Sequence, residues 1–94
     1  MDDDIRLLLE ALGSQMFDPR HDPRATVAVL ITETVRFRDK LKAETGEILT
    51  IEDTRLAVEA LQQYLENRTM PSHLTPEQRQ LAQIYVDRLT VFGG

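Results

Sequence analysis

The sequence predicts an all-α domain of four helices around a long central one, either histone-fold-like or a small helical bundle. Three observations predict it. Apolar residues recur almost everywhere at three- and four-residue spacing, the signature of helices with one buried face. The four Pro and four Gly fall between those periodic stretches or at their ends. Strand-like character is confined to one short segment, Thr45-Gly46-Glu47-Ile48-Leu49-Thr50, too short to pair usefully unless another chain or loop lies beside it.

The first helix is expected near residues 3–12. Ile5, Leu8, Leu9 and Leu12 form its stripe, and Asp2, Asp3 and Asp4 place negative charge where the helix dipole favours it. Gly13 follows as a left-handed stop, with Met16 and Phe17 placed to fold back on the last turn. A loop containing two Asp-Pro-Arg units leads to the second helix, expected over 23–44. Asp22 can cap it, and Pro23 suits its first turn, where a missing N–H costs nothing. Val27, Leu30, Ile31, Thr34, Phe37 and Leu41 make its main stripe, with Val35 alongside. This is the longest and most apolar segment, hence the central one.

Thr50 and Asp53 read as a capping box that starts a third helix, expected over 51–67, with Ile51, Thr54, Val58, Leu61 and Leu65 as its stripe. A linker with Pro71 follows. Thr75-Pro76-Glu77-Gln78 is a second start signal, opening a fourth helix over 76–91 on Leu81, Tyr85, Leu89 and Phe92, with Ala82 and Val86 beside them. The 94 residues form one domain, 1–94. At 41% hydrophobic content the chain can bury about 60–68% of its unfolded surface and fold alone with little margin.

Composition excludes more than it assigns. The absence of Cys removes disulfides, thiolate metal sites and a thiol nucleophile. No apolar run reaches the roughly 18 residues of a membrane helix, and the acidic start does not suit a leader peptide, so an intracellular protein, cytoplasmic or nuclear, is expected. Sixteen acids against eleven bases give a net charge of −5, which disfavours direct nucleic-acid binding. Arg36, Arg38, Lys40 and Lys42 are the one local excess of positive charge. Alternate positions turn by about 200° on a helix, so these four divide between two faces.

No catalytic, cofactor or metal site is expected. His21 and His73 lie in different loops without a ligand at helical spacing, and Asp18, His21 and Asp22 are best read as caps beside an exposed imidazole. Ser14 and Ser72 lack the glycine frame of a nucleophile elbow, and glycines nowhere cluster into a phosphate loop. The chemistry expected is therefore protein–protein contact. The second helix is apolar on two adjacent rows, wider than the ~100° face one neighbour covers. Either the other helices wrap it or a second chain does. In the second case Val27, Leu30, Ile31, Val35, Phe37, Leu41 and Leu61 are the expected partner interface, in a homodimer or a heterodimer with another helical chain.

One segment resembles a known family. Ile48-Leu49-Thr50-Ile51-Glu52-Asp53-Thr54-Arg55-Leu56-Ala57 is similar to the second loop and third helix of the histone-fold family, which includes histones and TBP-associated factors. Leu8-Leu9-Glu10-Ala11-Leu12-Gly13 and Phe17-Asp18-Pro19-Arg20 resemble the first helix and first loop of that family. The resemblance implies a subunit of a transcription or chromatin complex that pairs with another histone-fold chain. Thr50 and Asp53 would then hold the second loop, and Val27, Ile31, Val35 and Leu41 would pack across the pair. The alternative is a small acidic helical regulatory or accessory protein, bacterial or phage, that binds a larger enzyme or nucleic-acid machine.

Overall fold

The computed structural model describes the backbone of residues 2–16 and 23–93, and the side chains of 3–11 and 25–89. Four helices make up these residues: α1 (Asp2–Met16), α2 (Pro23–Thr45), α3 (Ile51–Asn67) and α4 (Pro76–Gly93). The boundaries of α2 to α4 lie within two residues of those expected. The first helix differs. It runs through Gly13 to Met16, one turn beyond the expected stop. A glycine in a helix costs only about 1 kcal/mol, so it permits a C-cap without imposing one. Asp18, His21, Asp22 and Phe17 lie outside the described residues.

The helices form a ring. Helix α1 packs on α2 and α3, while α4 packs on α2 and α3. Helices α2 and α3, consecutive in the chain, stand on a diagonal, as do α1 and α4. The core therefore lies where four apolar faces converge. Ile5 and Leu9 come from α1, and Val27, Leu30 and Phe37 from α2. Ala57, Val58, Ala60 and Leu61 come from α3, and Leu81, Ala82, Tyr85 and Val86 from α4. Leu49 and Leu74 close it from the two connections. A Cα radius of gyration of 12.6 Å matches the ~12.4 Å typical of a folded chain of this length, so the ring closes on itself.

Helix α4 starts where α3 starts. Asp53 and Gln78, each three positions into its helix, are hydrogen-bonded at 2.8 Å. Arg68, the C-cap of α3, lies fifteen residues beyond Asp53, about 22 Å along the axis. The connection between α3 and α4 must therefore travel back along the bundle. It is held down by Leu74, buried, by Met70, packed against the core, and by Arg79, which donates to the Pro71 carbonyl at 3.4 Å. Arg68 makes the required turn with left-handed backbone (φ 60°), its N–H donating to the Tyr64 carbonyl and its guanidinium 5.8 Å from the Tyr64 ring.

Candidate functional site

The buried Thr34 and Tyr85 hydroxyls meet between α2 and α4. Thr34 Oγ1 donates to the Leu30 carbonyl at 2.7 Å, and Tyr85 lies 2.5 Å from the same oxygen. A hydroxyl has one hydrogen, so Tyr85 O–H donates to Thr34. Burial pushes the Tyr85 phenol far above its usual range, against a smaller downward pull from Thr34. It is a neutral strut between α2 and α4. Beside it Arg88 donates to Glu33 at 2.7 Å, and Arg36 stands 3.6 Å from the same carboxylate. No buried side-chain polar atom among the described residues lacks a hydrogen bond.

The exposed apolar side chains tell more about function. Helix α2 ends at Gly46, whose φ of +76° turns the chain out while its N–H donates to the Lys42 carbonyl at 3.0 Å. The connection then separates its two apolar side chains. Leu49 enters the core at 3% exposure, and Ile48 is left 61% exposed. Ile51, at the first position of α3, remains 40% exposed. It was expected in the buried stripe of α3. Within α3 the first two residues are exposed and Asp53 is half-buried, so full burial begins at Thr54.

Around Ile48 and Ile51 the local charges are largely engaged. The Asp53 carboxylate accepts from Thr50 N–H at 3.0 Å, from Thr50 Oγ1 at 2.9 Å and from Gln78 at 2.8 Å. Partial burial pushes its pKa up, but these hydrogen bonds together outweigh it and hold the carboxyl below its ordinary value. Arg55 bonds both Glu52 and Glu59 on the outer face of α3, and the Glu52 hydrogen bond holds that carboxyl low as well. A general acid at neutral pH needs the opposite displacement. Glu44, Glu47, Lys40 and Lys42 are exposed nearby, two of each sign.

The expected partner interface is placed differently. Val27, Leu30, Phe37 and Leu61 are between 0 and 6% exposed, buried against the chain's own helices. Ile31 and Leu41 are half-buried against the same core, and Val35 is half-buried. Four of the seven belong to the chain's own core, with Ile31 and Leu41 packed against it. The breadth of α2 is explained by its two neighbours in the ring, α1 on one side and α4 on the other. What sequence reasoning missed is the pair Ile48 and Ile51. Ile48 lies in a segment too short to give a face, and Ile51 carries the spacing of the α3 stripe.

The other candidates stay apart. His73 is exposed, and no group of three potential metal ligands exists among the described residues. Arg36 lies 3.6 Å from Glu33, and Arg38 lies 3.7 Å from Asp39. Ser72 is exposed in the connection between α3 and α4, and the side chain of Ser14 lies outside the described residues. No described helix is long and apolar enough to cross a membrane. No family model matches the chain, and no curated protein or solved structure matches it either.

Proposed function

We propose that the chain is a self-contained, non-catalytic helical binding module, a small acidic accessory or regulatory protein for a larger intracellular partner. The observation that carries this reading is the burial of Val27, Leu30 and Phe37 inside one chain. A histone-like pairing through those residues would require α1 or α4 to leave α2. Each large apolar side chain uncovered in that way costs roughly 1.5–3 kcal/mol until the partner re-covers it. Contact is assigned instead to the exposed apolar side chains Ile48, in the connection between α2 and α3, and Ile51, at the start of α3; Leu7 on α1 is the other large apolar side chain left exposed among the described residues. Apolar side chains held out on a rigid frame lose little freedom on binding, which favours their use as anchors.

Light scattering across a tenfold dilution tests the first half of this reading. A constant mass near 10.8 kDa supports the self-contained module, and a persistent dimer overturns it in favour of pairing. The second half is tested with immobilised wild-type chain and an Ile48→Asp/Ile51→Asp variant used side by side on lysate. The reading requires the variant to melt like the wild type and to lose the specifically retained protein. Equal retention by both chains removes these residues from the contact.

A further inference from the structure

We draw no further inference here: the strongest candidate, the exposed apolar pair Ile48 and Ile51 beside the connection between α2 and α3, belongs to the surface already described, and with Glu44 and Glu47 offset by Lys40 and Lys42 nothing in the structure shows the chemistry of what covers it.

Discussion

The side-chain amide of Gln78 donates to the Asp53 carboxylate at 2.8 Å, joining the third residue of α4 to the third residue of α3. Each is already half of a capping box. Gln78 accepts from Thr75 N–H at 3.0 Å and returns its own N–H to Thr75 Oγ1 at 3.2 Å, as Asp53 does with Thr50. The Gln78 oxygen is thereby committed to its own cap, so the nitrogen must face Asp53. One carboxylate serves the positive ends of two helices.

Gln78→Glu is the sharpest test of that arrangement. The cap acceptor survives, but the donor to Asp53 becomes a like charge in a buried position. We expect a loss of about 1–3 kcal/mol at pH 7, read as a drop of roughly 4–8 °C in Tm per kcal/mol. The loss should shrink as pH falls and one of the two carboxyls takes a proton. A variant as stable as wild type at pH 7 would show that the two helix starts are not coupled.

Acid sensitivity follows from the same carboxylate. The folded-state pKa of Asp53 lies below the ordinary value, so its contribution is fully present above about pH 3.9. It is lost as pH falls from there through the lowered folded value. Urea melts of wild type and Asp53→Asn at a series of pH values should converge below pH 4. Parallel curves over that range would remove Asp53 as the source.

The Thr34–Tyr85 pair predicts an asymmetry between two conservative deletions. Tyr85→Phe removes a donor and leaves Thr34 bonded to the Leu30 carbonyl, costing about 1 kcal/mol. Thr34→Val strands the buried phenol hydrogen without an acceptor and should cost about 1–3 kcal/mol. Adding Tyr85→Phe to Thr34→Val should recover part of that loss. A double-mutant cycle by chemical denaturation measures it, and strict additivity would contradict the donor assignment.

Gly46→Ala isolates backbone conformation from packing. A methyl built there meets nothing within 4 Å, yet φ is +76°. The expected cost is about 1–2 kcal/mol from the left-handed backbone alone. A substantially larger loss in a thermal melt would mean that the turn carries more than its own geometry.

Leu30→Asp should prevent cooperative folding, since the site is fully buried in the ring and would hold an unpaired charge. Its circular dichroism should lose the melting transition that wild type shows. Retention of a sharp transition would place α2 in the wrong phase.

Local features were legible in the sequence, and assembly was not. Both capping boxes could be read because their partners lie three residues apart, and the stripe of α2 and the described part of the α4 stripe, Leu81, Tyr85 and Leu89, were read in the correct phase, Phe92 lying outside the described side chains. The Asp53–Gln78 bond spans 25 positions, and no periodicity reports it. The breadth of the apolar face on α2 was visible. The identity of the elements covering it was not, because a wide stripe looks the same under two neighbouring helices as under a second chain. Ile51 was misplaced for a related reason. Helical spacing gives a residue's angle around the axis but not whether a neighbour extends far enough to cover it.

The diagonal placement of α2 and α3 also bears on how the molecule is reached from the unfolded chain. Contacts divide into two sequence-local pairs, α1 with α2 and α3 with α4, and every other interhelical contact crosses between them. Residues 46–50 are thus the only covalent bridge between two halves that can each begin to form early, at low loop-closure cost. Thr34–Tyr85 and Glu33–Arg88 both join one of these halves to the other.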